Sequence, residues 1–319
     1  MTGELRVSAE EISYLEQRLG RRYAKQRLGV ERDHEAQVFG QGLNFFHIEN
    51  LRLGALLIES VLKMTGLYWL GKKNAARVIV RQNWVRSVRL PERFSGFTIL
   101  QLSDLHADMS EGAMKSVAEL LGTLTYDLCV LTGDYRGKTS GPFERTLAII
   151  ADLTRLIQSP MYGVLGNHDS VLMVSSLENL GIRVLLNESE AIEREGQRLH
   201  LAGIDDAHFY RSDNIEKAGA GIPHDEFSIL LSHTPEIYRQ AAHADFNLML
   251  SGHTHGGQIC LPGGAPIKLN SVLPRHLGSG SWRHHGMHGY TSVGAGTSMV
   301  PVRLNCAPEI TLHRLEAEP

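Results

Sequence analysis

The sequence contains little cysteine, and the placement of its cysteines argues against a disulfide framework. Three cysteines occur in 319 residues, Cys129, Cys260 and Cys306, and they are odd in number, widely spaced and without a Cys-x-x-Cys pair. This pattern indicates a reducing compartment. The first residues, Met1 to Arg6, also lack the apolar core of a secretory signal, so we expect a cytoplasmic protein.

A long uncharged apolar run is also missing. The best candidate for a membrane span, residues 51–70, contains Arg52, Glu59 and Lys63. A spanning helix needs about 20 predominantly apolar residues. No transmembrane helix is therefore predicted.

Neither sign of charge is in large excess. The chain has 32 Lys and Arg against 35 Asp and Glu, a formal charge of −3, which disfavours nucleic acid as a partner held by bulk charge. The fractions of apolar residues (42%) and charged residues (21%) are those of an ordinary globular protein. The length allows one large domain or two smaller ones, with a core that needs no disulfide for stability.

The first 93 residues differ from the rest, and we divide the chain into residues 1–93 and 94–319. Ser8 to Glu11 has the pattern of a capping box that opens a helix running toward Arg27, and a second helical pattern runs from about residue 47 to residue 70. Between Lys63 and Arg93 the charges are almost all basic, and aromatic residues lie among them. Residues 43–93 are thus either a basic amphipathic segment for an anionic membrane surface or a helical extension with a solvated face. The first alternative adds a peripheral position on the inner face of the membrane.

From residue 94 onward, short apolar runs alternate with amphipathic stretches. Most of the runs are continuously apolar, as is typical of strands buried on both faces. The alternation predicts an α/β fold with a layered sheet. Residues 262–288, rich in Gly, Pro, Ser and His, are expected to form a long surface loop, and His284, His285 and His288 are expected to be solvated there.

Histidine is abundant, with 16 residues, and several histidines follow predicted strands together with carboxylate and amide side chains. In α/β sheets, ligands bind beyond the carboxyl ends of the strands. If the chain leaves each strand extended, residues two apart point the same way, which pairs Asp104 with His106 and His253 with His255. The residues that follow the five runs are Asp104, His106, Asp134, Asn167, His233, His253 and His255.

A set of seven such residues predicts a metal centre. Their carboxylate, imidazole and amide groups suit Mn, Fe or Zn, and no thiolate is present to select a softer metal. Seven ligands are too many for one tetrahedral ion and fit two divalent ions with open positions. Such a pair activates water and clamps both oxygens in a phosphoryl displacement. We expect Mn²⁺, with Fe, Zn or Mg as alternatives.

The motifs themselves resemble a known family. Asp-Leu-His (104–106), Gly-Asp (133–134), Gly-Asn-His-Asp (166–169), His233 and Gly-His-Thr-His (252–255) are similar, in order, to the signature of calcineurin-like metallophosphoesterases. The resemblance spans about residues 96–315 and implies a four-layer αββα sandwich, to which residues 1–93 add a helical extension. It also implies hydrolysis of phosphate esters or pyrophosphates by in-line attack of a hydroxide that bridges two metals.

Roles for individual residues follow from the same resemblance. Asp104, His106 and His255 would hold one metal, Asn167, His233 and His253 the other, and Asp134 would bridge them. His168 would stabilise the phosphoryl group or protonate the leaving oxygen, and Asp169 would orient His168. In an extended segment, however, His168 would point away from its neighbour Asn167. A structural histidine in a tight turn is therefore the alternative for His168.

The end of the chain and the segment after residue 255 resemble a bacterial branch of membrane-associated phosphodiesterases that includes UDP-2,3-diacylglucosamine pyrophosphatases of lipid A synthesis. This implies a lipid-linked or nucleotide-lipid substrate. A soluble phosphodiesterase or phosphatase acting on nucleotides, nucleic acid or phosphoproteins remains the alternative, and no protein partner is inferred. Among the other polar residues, we expect Asp108 to cap the helix near Ser110, and Asp205, Asp206 and His208 to be polar loop residues.

Overall fold

The computed structural model of the protein describes residues 8–35 and 52–318, and its N-terminal part is a helical hairpin. α1 (Ala9–Leu19) begins at the predicted capping box, where the Ser8 hydroxyl accepts from the Glu11 N–H at 3.1 Å and the Glu11 carboxylate accepts from the Ser8 N–H at 2.8 Å. Gly20, with φ +86°, ends this helix, and α2 (Arg21–Glu35) follows. The single predicted helix is therefore two.

The second predicted helical stretch is also divided. α3 (Arg52–Met64) and α4 (Leu67–Ala75) are separated at Gly66, which has φ +74°. Residues 47–51 of this prediction lie outside the described residues. None of the helices in the two described ranges is long and apolar enough to cross a membrane.

Two six-stranded sheets form the centre of the fold. The first has the strand order β1-β12-β2-β3-β4-β5, and the second has the order β10-β11-β9-β8-β7-β6. In the first sheet, β2 to β5 are mutually parallel; in the second, β7, β8, β9 and β11 are. The strands are β1 (Ile79–Ser87), β2 (Thr98–Leu102), β3 (Leu128–Leu131), β4 (Met161–Gly163), β5 (Ile182–Val184), β6 (Glu188–Arg194), β7 (Gln197–Gly203), β8 (Ser228–Leu231), β9 (Leu248–Ser251), β10 (Gly280–His284), β11 (Met287–Thr291) and β12 (Glu309–Ala317).

The two sheets face each other, and helices cover their outer faces. Within β2, Ile99 points into the core between the sheets, whereas Leu100 and Leu102 join the core shared with the helices outside the first sheet. The predicted four-layer sandwich is thus confirmed. The covering helices are α5 (Glu111–Leu121), α6 (Glu144–Thr154) and α7 (Met173–Asn179) on the first sheet, and α8 (Ile215–Gly219) and α9 (Tyr238–His243) on the second.

The N-terminal part is joined closely to this sandwich. Leu15, Leu19 and Ala24 belong to the core outside the first sheet. Residues 79–87, expected within a helical extension, instead form strand β1, which pairs in parallel with β12. The buried Asn83 and Val85 alternate with exposed neighbours there, a period-two pattern that the many basic side chains hide in the sequence. The division at residue 93 itself stays a prediction.

The expectation of a long surface loop over residues 262–288 is wrong for its second half. β10 and β11 form a hairpin, and β11 pairs with β9 in the second sheet. The strands are stabilised there because Trp282 and Met287 are buried against the outer helices. His284 and His288 are therefore strand residues, and the turn at His285 lies between the two strands.

Candidate metal centre

The seven predicted ligands converge at the carboxyl ends of strands from both sheets. The ligand atoms of Asp104, His106 and His255 lie within 4.8 Å of one another, and so do those of Asp134, His233 and His253. Asp134 stands between the two groups, because its Oδ2 is 3.6 Å from His106 Nε2 and 3.3 Å from His233 Nε2. The seventh residue, Asn167, has its Oδ1 3.0 Å from His233 Nε2 and 2.9 Å from His253 Nδ1.

The hydrogen bonds of three of the ligand histidines, His106, His233 and His253, leave the ring nitrogen that faces the centre available as a ligand. In each ring the other, outer nitrogen lies at a backbone carbonyl. His106 Nδ1 is 2.8 Å from the carbonyl oxygen of Arg136, and His233 Nδ1 is 2.8 Å from that of Thr132. His253 Nε2 is 3.0 Å from the carbonyl oxygen of Asn270. A carbonyl only accepts, so each neutral ring carries its proton on the outer nitrogen and presents a lone pair to the centre.

This arrangement fits a cation. His233 Nε2 and His253 Nδ1 are 3.2 Å apart, both beside Asn167 Oδ1, so that three acceptor atoms face one another when both rings are neutral. Burial lowers the pKa of His233, but the carboxylates of Asp134 and Asp104 outweigh it and raise the pKa to about 10. The buried centre therefore attracts positive charge, which a divalent ion supplies without the lone-pair conflict.

Electrostatics keep three other ligands, Asp134, His253 and His255, in the charge states that bind metals, whereas burial raises the pKa of the Asp104 carboxyl. Burial raises the pKa of the Asp134 carboxyl, but the imidazoles of His233, His168 and His106 more than offset it, and the pKa lies well below its usual range. Burial, together with neighbouring histidines, holds the pKa of His253 and of His255 well below the usual value. Ionised carboxylate and neutral imidazole are the ligand forms for a transition metal.

The backbone at these positions is not extended, contrary to the expectation from the sequence. Five of the seven ligand residues have left-handed backbones, a conformation that costs of order 1–3 kcal/mol for a residue other than glycine and that clusters at functional sites. The two predicted pairs still point to one centre, but through tight turns. The five are Asp104 (φ 48°), His106 (φ 37°), Asp134 (φ 56°), His253 (φ 71°) and His255 (φ 50°).

Two glycines make room for the ligands. A Cβ at Gly166 would lie 2.2 Å from Asp134 Oδ1, and one at Gly252 would lie 2.2 Å from Asp104 Oδ2. Each glycine directly precedes a ligand residue in the sequence. The glycines of the Gly-Asn-His-Asp and Gly-His-Thr-His motifs are therefore needed for close approach between strand ends.

His168 lies at the centre, but Asp169 does not orient it. His168 Nε2 is 3.9 Å from Asp134 Oδ2, whereas Nδ1 meets the carbonyl of Gly137 at 2.9 Å. The Asp169 carboxylate instead accepts backbone N–H groups of Asp134 at 2.7 Å, Gly166 at 2.8 Å and Tyr135 at 2.9 Å. This corrects the expected role, because Asp169 clamps the loops after β3 and β4 together. Residues 166–169 form a tight turn, closed by the Asp169 N–H that donates to the Gly166 carbonyl at 3.1 Å, and the His168 ring projects from it toward the ligands.

Asp108 is not the helix cap that we expected. The Ser110 hydroxyl caps α5 by accepting from the Ala113 N–H at 3.3 Å. Asp108 Oδ1 accepts from the Gly137 N–H at 2.6 Å. Asp108 therefore supports the residue whose carbonyl holds the ring of His168.

Asp205, Asp206 and His208 lie in a loop after β7, as expected, but they are buried and make specific contacts. Asp205 forms a buried ion pair with Arg27 of α2, with Nε 2.9 Å from Oδ2. The His208 ring lies 4.2 Å from the His253 ring, centroid to centroid, and its Nδ1 is 2.9 Å from Glu236. The Asp206 carboxylate accepts from the backbone N–H of Phe209 and of Tyr210 at 2.6 Å each.

Two arginines that were not expected from the sequence, Arg136 and Arg303, support the centre. Arg136 donates to the carbonyls of His168, Gly141 and Thr139, and Arg303 donates to the His255 ring nitrogen Nδ1 at 3.2 Å. Arg136 stands two residues after a predicted ligand, which is the one signal that could have drawn attention to it. No local pattern distinguishes Arg303 from a surface arginine.

A cavity of about 530 Å³ opens from the ligands toward α3. Its floor contains Asp134, Asn167, His168, His253 and His255. One wall is formed by α3 and the other by segments that follow β9 and β11, and Lys268 is a cation on its lining. The apolar lining residues are Leu57, Ile58, Val61, Leu62, Ile259, Ile267, Met299 and Val300.

Comparison with known proteins agrees with the site. Residues 97–257 match the family model described as calcineurin-like phosphoesterase. The metallophosphoesterases YkoQ and YkuE of Bacillus subtilis are each 30% identical, over 71% and 74% of this chain and 86% and 85% of their own lengths. The phosphodiesterase YaeI of Escherichia coli is 30% identical over 69% of this chain and 82% of its own length. The chain therefore belongs to the calcineurin-like phosphoesterase family and is a metal-dependent phosphoester hydrolase.

Proposed function

We propose that the protein hydrolyses a phosphodiester or pyrophosphate bond in a lipid-linked or nucleotide-lipid substrate, such as one resembling UDP-2,3-diacylglucosamine. The observation that supports this substrate class is the cavity, whose floor is built from metal-ligand candidates and whose walls carry eight apolar side chains. A substrate that carries both a phosphate and an apolar chain satisfies both parts, because the chain leaves water as the phosphate reaches the ligands.

Two divalent ions, with Mn²⁺ foremost, fit the seven residues. Asp104, His106 and His255 would hold one ion, and Asn167, His233 and His253 would hold the other. Asp134 reaches both groups. When bound, the ions supply Lewis acidity that activates water and neutralises charge on the phosphoryl group.

His168 is proposed to handle the proton of the leaving group. Its Nδ1–H is fixed on the Gly137 carbonyl, which turns Nε2 toward the floor of the cavity beside Asp134. A proton held at Nε2 can be donated to the leaving oxygen. Asp108 and Arg136 support this orientation through the backbone of Gly137 and of His168.

The first test removes Asp134, the ligand common to both proposed ion sites, and separately His233, a ligand of one site. Asp134→Asn and His233→Ala should lower kcat for bis(p-nitrophenyl) phosphate in Mn²⁺ by about 100-fold or more, because the ions lose a ligand. His276→Gln, at an exposed position in the 3₁₀ helix Arg275–Leu277, is the matched control and should retain full turnover. Wild-type rates in Asp134→Asn would contradict a two-ion mechanism.

The second test addresses the apolar group of the substrate. For alkyl p-nitrophenyl phosphates of increasing chain length, KM should fall by about three- to fourfold per methylene until the cavity is filled, at about 0.8 kcal/mol per group. Leu57→Ser in the cavity wall should flatten this series, whereas Leu156→Ser, an exposed leucine before β4, should not. A flat series in the wild type, with good turnover of dinucleotides, would favour a soluble nucleotide substrate instead.

A further inference from the structure

Exposed apolar side chains are concentrated on α3, on the neighbouring α4 and on a segment that, like α3, contributes to the lining of the cavity. Of the fourteen large apolar side chains exposed within residues 8–35 and 52–318, ten lie on α3, on α4 or in the segment 261–272 on the opposite side of the mouth of the cavity. We call these ten residues the apolar rim. They are Leu56, Leu57, Val61, Met64, Leu67, Trp69 and Leu70 on one side, and Leu261, Ile267 and Val272 on the other.

The rim is continuous with the cavity. Leu57 and Val61 on α3 line the cavity and are also 67% and 52% exposed, and Ile267 on the facing segment lines it and is 60% exposed. Helix α3 is held in this position from behind, because Leu62 is buried against Val300 and Val302. The outward apolar side chains are therefore presented by an anchored helix.

The charge of this region is complementary to an anionic surface. Between residues 52 and 77 the sequence has five basic residues and one acidic residue, Glu59, which pairs with Lys63 at 2.7 Å. Lys72, Lys73 and Arg77 are exposed at the end of α4 and after it, and Lys268 is exposed on the facing segment. Apolar side chains, an exposed tryptophan and flanking cations are the features of a segment that lies in a membrane interface.

We propose that the apolar rim inserts into an anionic lipid surface, so that the cavity opens onto the lipid. The position of the rim favours lipid over a protein partner, since whatever covers both sides of the mouth also covers the entrance to the metal ligands. A protein would block that entrance, whereas a lipid layer would deliver a lipid-linked substrate through it. This inference rests on the proposed function and adds the surface from which the substrate is taken.

Vesicle sedimentation with the full chain tests the inference. The wild type should bind vesicles of phosphatidylglycerol and phosphatidylcholine more tightly than vesicles of phosphatidylcholine alone, and added salt should weaken binding. Met64→Ser and Trp69→Ser remove rim side chains that do not line the cavity, and each should weaken binding by about tenfold. Val88→Ser is the matched control and should bind as the wild type does. Val88 is 72% exposed and follows β1, at the end of the first sheet that lies away from the metal ligands.

The outcomes separate this inference from the proposed function. Both rim variants should hydrolyse bis(p-nitrophenyl) phosphate in solution at the wild-type rate, which also shows that they are folded. Absence of vesicle binding by the wild type, or undiminished binding by both rim variants, would overturn the inference. So would a wild-type dimer in solution that Met64→Ser dissociates, because the rim would then be an interface between copies. A chain-length preference without vesicle binding would leave the proposed substrate class standing.

Discussion

Single buried side chains connect the N-terminal hairpin to the metal centre. Arg27 on α2 is fully buried between two loops, with its guanidinium 2.9 Å from Asp205 and 3.4 Å from the Asp169 carbonyl. The guanidinium also lies over the aromatic ring of Tyr210, with the Arg27 Cζ atom 3.6 Å from the ring centroid. Glu31, one turn further along α2, pairs with Arg27 at 2.8 Å and accepts from the Val171 N–H at 3.0 Å. The helix thus supports the loop that carries Asn167 and His168.

Removal of the Arg27 charge should be costly. Arg27→Met is expected to lower the free energy of unfolding by about 3–5 kcal/mol, because the buried Asp205 carboxylate loses its cation. Arg22→Met, at an exposed position on the same helix, should change it by less than about 0.5 kcal/mol. Urea unfolding measures both, and Asp205→Asn in the Arg27→Met background should recover part of the loss. A small effect of Arg27→Met would mean that water reaches Asp205.

At the scale of elements, strand β12 contributes a buried polar contact between its neighbours. His313 in this strand accepts from the Asn83 amide at 3.0 Å and donates to Gln101 Oε1 at 2.9 Å. The Gln101 amide donates to the Thr132 hydroxyl at 2.9 Å, and the Thr132 hydroxyl donates to the hydroxyl of Ser103, the residue before Asp104, at 2.7 Å. Burial lowers the pKa of His313 to about 3, so the ring is neutral in the folded protein.

The neutral His313 should make stability depend on acid pH. An unfolded histidine has a pKa of about 6.5, so between pH 6.5 and 3 the unfolded state binds a proton that the folded state does not. Stability from this group is therefore complete above pH 6.5 and is lost as pH falls, by up to about 1.4 kcal/mol per pH unit. His313→Asn should show a shallower fall than the wild type in urea unfolding between pH 7 and 5. Parallel curves would show that His313 titrates normally.

The helices of the N-terminal region could be predicted from the sequence more readily than its strand. The capping box at Ser8 and the apolar spacing within α3 are local signals. Helix α1 begins directly after the capping box, and α3 covers the residues with the apolar spacing. Strand β1 has no comparable signal, since it is stabilised by its nine-residue pairing with β12, more than 220 residues later in the chain. Pairing between such distant segments depends on the assembled sheet and not on local propensity.

At the scale of the whole molecule, the metal centre joins the two sheets. Asp104 and Asp134 follow strands of the first sheet, whereas His233, His253 and His255 follow strands of the second. In addition, the His253 N–H donates to the Asp104 carboxylate at 3.0 Å. Ions bound between these residues would therefore cross-link the sandwich at one edge.

Metal removal should consequently lower thermal stability as well as activity. Relative to protein in excess Mn²⁺, chelated protein should unfold about 5 °C or more lower, since a ligand at 100 times its Kd contributes about 2.7 kcal/mol. Differential scanning calorimetry measures this, and restored Mn²⁺ should recover Tm and turnover together. In Asp134→Asn the difference should shrink markedly. Equal Tm values with Mn²⁺ and with chelator in the wild type would contradict metal binding between the sheets.

The sequence by itself determined where the candidate ligands stand, because in a sheet of this class the positions directly after buried strands meet at one edge. It also determined the family and the layered fold, through motifs whose order and spacing are local. Only the tertiary structure decided how the ligands are held. The carbonyls that direct the histidine rings, the Asp169 clamp and the buried Arg27 are contacts between segments far apart in the chain. The tertiary structure also decided which apolar side chains form the rim, since the exposure of a side chain depends on what the folded chain leaves uncovered.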